Sequence, residues 1–200
     1  MIPVKLKPAP RDFETKVGLP GASWLEEKGY PRNGPVPRDK TSDLHPYWRE
    51  VLHDLHDAYD GICAYSCTYL ELVQGAHSVD HFVPKSRAVE MAYTWANYRL
   101  ASKGMNTKKG ESTDVLDPFE IADETFFINF VDGRIFPNPK LSREMFEKAA
   151  ATIRRLRLDS AECRKLRVDH FEDYRVRGVP RECLKRRSPF VYLEIVRQGL

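Results

Sequence analysis

Ser142, Ser160 and the pair Ser188-Pro189 each stand just before a run whose apolar residues recur every three or four positions, and this series of helix starts most constrains the fold. The first run carries Met145, Phe146, Ala149, Ala150, Ile153 and Leu156, and the second Cys163, Leu166, Phe171 and Tyr174. SPFVYLEIVRQG, closed by Gly199, is the third. Residues 140–200 are therefore expected to be helical. Strand signals are shorter. TFFINFVDGRIF reads as a hairpin about Asp132-Gly133, a pair that accepts the positive φ of a tight turn. Upstream, YLELV and AHSVDHFV have strand character and are separated by Gln74-Gly75; NYRLAS is a third short strand, and GMNTKKG is a compact helix stopped by Gly110. The expected class is α+β: a mostly helical domain around a strand, excursion, strand, helix unit, with a second small β-hairpin.

Eight of the fourteen prolines fall in residues 1–46, with Trp24 and Leu25 as the strong local apolar anchor, so residues 1–45 are expected to form an extended Pro-rich arm lying on its own domain. Residues 46–200 are then one domain, with its strand–strand–helix core at about 62–111; a chain of 200 residues is long enough for one such core. Residues 43–60 read as a helix carrying Trp48, Val51, Leu52, Leu55, Ala58 and Tyr59, capped by Ser42 or Asp43 and stopped by Gly61. His53 and His56 border its polar face and are expected to be solvated. No apolar run approaches the roughly 20 residues that cross a bilayer, and MIPVKLKPAP lacks a continuous hydrophobic segment, so a cytoplasmic protein with no membrane partner is expected. The four cysteines are expected to be thiols.

A net charge of +3 does not by itself announce a polyanion binder, but cations cluster locally. Residues 81–111 hold Lys85, Arg87, Arg99, Lys103, Lys108 and Lys109 against Glu90 and Glu111, and residues 151–200 hold 13 Lys/Arg against 7 Asp/Glu. Within the first cluster lie Asp80-His81, then Asn97, then Asn106. Phosphodiester cleavage needs a base for water, a divalent cation for the phosphate, and a group that orients the base. His81 titrates nearest neutrality and is the candidate base. Asp80 and Asn106 offer hard oxygens to Mg2+ or Mn2+, and Asn97 can brace the excursion. Lys85, Arg87, Arg99, Lys103, Lys108 and Lys109 are the candidate nucleic-acid contacts, and His77, four residues before His81, is a possible further one. Neighbours on a regular strand point to opposite faces, so pairing is expected to fail near Pro84 if Asp80 and His81 share one centre. Asp114, Asp117 and Glu120 are expected to cap and to be solvated.

VDHFVPKS, WANYRLAS and MNTKKGE, in that order, resemble the HNH, or ββα-metal, endonuclease motif. The resemblance implies His81 as base, Asp80 and Asn106 as metal contacts, Asn97 as the structural asparagine, and Lys109 as a phosphate-facing helix lysine. Beyond the motif, TDVLDPFE, FINFVDGRIFPNP, KAAATIRRLRLD and the terminal SPF resemble the HNH nuclease subunits of Septu-type and retron-associated anti-phage systems, which implies an ABC-type ATPase partner. One departure stands out. Many HNH proteins carry two Cys pairs that hold zinc; here Cys63 and Cys67 are followed by Ser102 and Met105 where the second pair would sit, so structural Zn2+ is not expected. The expected function is a metal-dependent DNA endonuclease, the effector of an anti-phage complex. The rivals are a catalytically silent nucleic-acid-binding or scaffold subunit, and an RNase.

Overall fold

A computed structural model describes residues 1–200. The chain is α+β and mostly helical, with two separate two-stranded antiparallel sheets. It divides into two compact units: a hairpin–helix unit of Leu6–Gly61 and Leu72–Thr113, and a helical unit of Met1–Lys5, Ile62–Glu71 and Asp114–Leu200. These boundaries differ from the expected division at residue 45, because the N-terminal segment folds with the strand–strand–helix core.

That N-terminal segment is not simply extended. A π-helical turn, Glu14–Gly18, runs into helix α1, Leu19–Glu27. Pro20 falls in the first turn of α1, and the wider π turn before it relieves the clash a proline ring makes with the carbonyl four residues back. Phe13, Val17 and Leu25 are buried on one side, and Phe13 meets the rings of Trp95 and Tyr98 edge-on at 5.7 and 6.0 Å. Gly21 is required: a Cβ there would lie 2.2 Å from the ring of Tyr93. Lys7 is pinned at both ends of its peptide, its N–H donating to Tyr59 and its carbonyl accepting from Trp95 Nε1.

The next helix starts later than residues 43–60 suggest. Ser42 closes a 3-10 turn with its hydroxyl on the Asp39 carbonyl, a second 3-10 turn spans Tyr47–Val51, and α2 is Leu52–Ala58. Val51, Leu55 and Tyr59 anchor it. YLELV is not a strand: Leu72–Gln74 is a 3-10 turn, and Tyr69 is paired with Ile62 in an isolated bridge. Strand β1, His77–His81, pairs with β2, Tyr98–Ser102, in the register His77↔Ser102 to His81↔Tyr98. Helix α3, Lys103–Lys109, follows without a gap, because Ser102 ends the strand and caps the helix by accepting from the Met105 N–H.

In the helical unit, β3 (Phe126–Asn129) and β4 (Arg134–Pro137) form the expected hairpin. Gly133 has φ +71° and a Cβ there would come 2.2 Å from the Arg164 carbonyl oxygen, so both conformation and space demand glycine. Helices α4 (Arg143–Leu156) and α5 (Ala161–Arg175) begin on the expected caps, Ser142 and Ser160. A short helix α6, Arg181–Arg187, precedes α7, Pro189–Gln198. Ala149, Leu156, Leu158, Phe190 and Ile195 fill the core, each large side chain contributing about 1.5–3 kcal/mol by burial. Two buried polar residues tie elements together. Arg167 donates to the Gly133 and Leu158 carbonyls, and Glu194 accepts from the Ile128 N–H while pairing with Arg197.

Candidate active site

β1, α2 and α3 border a cleft of about 800 Å³ in the hairpin–helix unit, and Asp80, His81 and Asn106 all line it. The ladder stays regular through both Asp80↔Arg99 and His81↔Tyr98, so the expected failure of pairing does not occur at these residues. The two side chains instead take different sides of the strand end. Asp80 engages α3 through Lys109, and His81 turns toward Trp48 and Tyr98, whose rings meet it at near-perpendicular angles.

His81 is oriented by a backbone carbonyl. Its Nε2 lies 3.0 Å from the Ala92 oxygen, which can only accept, so the proton belongs on Nε2. Tyr98 donates its hydroxyl to the same oxygen at 2.8 Å, and burial pushes the Tyr98 pKa up, keeping it a donor. Nδ1 then carries the lone pair. Burial, followed by the positive charge of Lys85, pushes the His81 pKa down to about 3, so the imidazole is neutral at physiological pH.

Asn97 braces the excursion as its residue type suggests. Its Oδ1 accepts from the Val83 N–H at 2.7 Å, and its Nδ2 donates to the Val83 and Met91 carbonyls, both at 3.0 Å. One carboxamide thus closes both ends of the segment that supplies the Ala92 carbonyl. Asn106, on α3, donates its Nδ2 to Ser78 Oγ and the Val79 carbonyl, which leaves its Oδ1 as an acceptor.

Two of the six candidate cations are structural. Lys109 is fully buried, with its ammonium 3.2 Å from Asp80 Oδ1 and 2.9 Å from the His81 carbonyl oxygen, so it is the internal counter-ion of Asp80 rather than a phosphate-facing lysine. Arg99 is buried as well, donating to the Ala96 and Tyr98 carbonyls with its guanidinium over Phe82. Lys85 and Lys103 line the cleft, Lys85 with its ammonium 4.3 Å from the centre of the Trp48 ring. Arg87 is exposed and Lys108 half-exposed; neither lines the cleft.

His77 lies at the cleft, buried, with Nδ1 unpartnered. The rings of His53 and His56 stand 5.9 and 5.8 Å away, and burial, then these two neighbours, lowers its pKa. His56 is buried rather than solvated; His53 is exposed. Trp48 and Arg49 also line the cleft; the helical period assigns Trp48 to a core stripe, and no local signal in the sequence marks either residue as part of a site.

No group of three or more His, Cys, Asp or Glu side chains is arranged to hold a metal. A hydrated Mg2+ or Mn2+ does not require one: a carboxylate, an amide oxygen and several waters suffice. Asp80, a carboxylate paired with Lys109, and Asn106, whose Nδ2 donates to Ser78 and Val79, are of the residue types that donor set needs. Cys63 and Cys67 are buried free thiols of the helical unit, and burial raises the Cys67 pKa. Elsewhere in that unit, Asp114 pairs with Arg155, and Asp117 accepts from the Phe119 N–H as a turn cap. No model of a known protein family matches the chain, and no curated protein matches it.

Proposed function

We propose that this chain is a divalent-metal-dependent endonuclease of the HNH type that hydrolyses phosphodiester bonds in DNA. The supporting observation is His81: a neutral imidazole whose Nε2 is tied to Ala92, leaving the lone pair on Nδ1, at a cleft also bordered by Asp80 and Asn106. In this reading Nδ1 takes the proton of a water molecule as its oxygen attacks phosphorus and the bond to the leaving oxygen breaks. A base near 3 is weak on its own, but the negative charge of a phosphate in the cleft favours the imidazolium and strengthens it when substrate is in place. Lys85 and Lys103 position the backbone without reading sequence. Asn97 keeps the Ala92 carbonyl where it can hold the ring. Asp80 and Asn106 would hold Mg2+ or Mn2+, whose chemistry when bound is to neutralise charge on the phosphate and leaving oxygen.

The test is a plasmid-nicking assay. Wild type is expected to nick in Mg2+ or Mn2+ and to stop in chelator, and His81→Ala is expected to lose about 10²–10⁴-fold in rate while keeping its DNA affinity. Equal rates for the two proteins would end the proposal. Cleavage of RNA with DNA left intact would replace the substrate. One observation favours a second reading, a nucleic-acid-binding subunit without turnover: Asp80 is 1% exposed and already engaged by Lys109. DNA binding without nicking in either metal would support it. The resemblance beyond the motif supports an ABC-type ATPase partner in an anti-phage complex, for which co-purification is the check.

A further inference from the structure

Many cations of the helical unit pair with carboxylates, among them Arg143 with Glu147, Lys148 with Glu144, Arg155 with Asp114, Arg164 with Asp159, Lys165 with Asp169 and Arg177 with Asp173. Helix α6 is different. Arg181 lies over the ring of Tyr174 at 5.8 Å, Lys185 over Tyr192 at 5.8 Å, and Arg186 over Tyr69 at 5.7 Å. None of these three forms a salt bridge, and all three are exposed, whereas their neighbour Arg187 shares Asp173 with Arg177. A tyrosine ring orders a cation through its quadrupole but carries no net charge to cancel it. The three positive charges are therefore held in place and left uncompensated.

Their support is rigid. Leu184 is buried beneath α6, and the Arg187 carbonyl accepts from the Tyr69 N–H at 2.9 Å, fixing the helix to the segment that carries that ring. Residues 175–187 hold six Lys/Arg against the single acid Glu182. Cations near a helix C-terminus also complement the helix dipole, but that effect needs no aromatic partners and does not explain why Arg181, Lys185 and Arg186 each rest on a different tyrosine.

We propose that Arg181, Lys185 and Arg186 on α6 form a phosphate-backbone contact for nucleic acid, separate from the cleft that holds His81. The identity of the polyanion rests on the endonuclease reading, while the surface itself rests on the tyrosine-held cations. Such a contact adds affinity without sequence preference and is salt-dependent through counterion release.

The experiment uses the full chain carrying His81→Ala, so that DNA stays intact, and measures the affinity of a labelled duplex and of the matching single strand by fluorescence anisotropy from low to moderate salt. Replacing Arg181, Lys185 and Arg186 by Gln is expected to raise Kd roughly tenfold or more and to lower the slope of log K against log salt by about 2–3, at ~0.9 per duplex phosphate. A control with the same charge change, Arg143, Lys148 and Lys165 to Gln, is expected to leave the slope nearly unaltered. Arg181→Lys with Arg186→Lys, which keeps the charge, is expected to retain it as well. Equal slopes for the α6 variant and its parent would overturn the proposal, as would equal losses in variant and control. Preference of the surface for anionic vesicles or an acidic peptide over DNA would overturn it too. Parallel nicking by proteins with His81 intact keeps the two readings apart. An α6-dependent salt slope in a chain that never nicks sinks the nuclease and spares the surface, and His81-dependent nicking with an α6-independent slope does the reverse.

Discussion

The two hairpins share an antiparallel pairing but differ in what they bury. β3 and β4 are joined by the four residues 130–133 and turn Phe126, Ile128 and Ile135 into an apolar core. β1 and β2 are separated by the sixteen residues 82–97 and bury His77, Asp80, His81 and Arg99, groups that cost free energy unless partnered. The long connection supplies those partners: the Ala92 carbonyl for His81, the Ala96 carbonyl for Arg99, and the Val83 and Met91 peptides for Asn97. One hairpin is a stability element. In the other, the same ladder carries polar groups toward a cleft, at a stability cost met by a longer loop.

Lys109→Met is expected to break this contrast most severely. It removes the ammonium that pairs with the buried Asp80 carboxylate and should cost about 3–5 kcal/mol. Trp24, Trp48 and Trp95 all belong to the hairpin–helix unit, so denaturation followed by tryptophan fluorescence reads that loss directly; an unaltered midpoint would mean that Asp80 does not depend on Lys109. Ile128→Ala is the counterpart in the apolar hairpin. A cavity there should cost about 2–5 kcal/mol by calorimetry, with nicking retained below the melting temperature. If nicking falls in proportion to stability, the division of labour between the hairpins is wrong.

The helix caps sharpen the comparison at smaller scale. Ser102→Ala and Ser142→Ala each remove one side-chain cap and are each expected to lower stability by about 1 kcal/mol. Only Ser102→Ala should slow nicking as well, since it loosens the first turn of the helix that carries Asn106. The smallest expected effect concerns pH. Burial lowers the His77 pKa, so its protonation favours the unfolded chain; the stability it contributes is present above about 6.5 and is lost as pH falls through the lowered folded value. An acid titration of tryptophan fluorescence should therefore begin later in His77→Gln than in wild type, and coincident titrations would remove His77 from the account.

Local chemistry made much of this legible in the sequence. Asp132-Gly133, Ser142 and Ser160 mark their turn and helix starts because one side chain or one φ value decides each. Asn97 could be read as a brace because a carboxamide can satisfy a donor and two acceptors at once. What stayed hidden depends on tertiary neighbours. Lys109 and Arg99 have the composition of a basic surface, yet their charges are compensated inside by Asp80 and by backbone carbonyls. Trp48 fits a core stripe and lies at the cleft. Proline density suggested an extended arm through residues 14–27, where a π turn makes room for Pro20 within a helix.

The path of the polypeptide has a practical consequence. Residues Ile62–Glu71 belong to the helical unit while the segments on either side of them belong to the other, and Met1–Lys5 also fold with the helical unit. No single cut separates the two units: one after Thr113 keeps every segment of the hairpin–helix unit but leaves Met1–Lys5 and Ile62–Glu71 on that fragment and the helical unit incomplete. A protease that nicks a surface loop should accordingly yield fragments that stay together until denatured, and assembly must await contacts between segments far apart in the sequence, which sets a slow pace for folding.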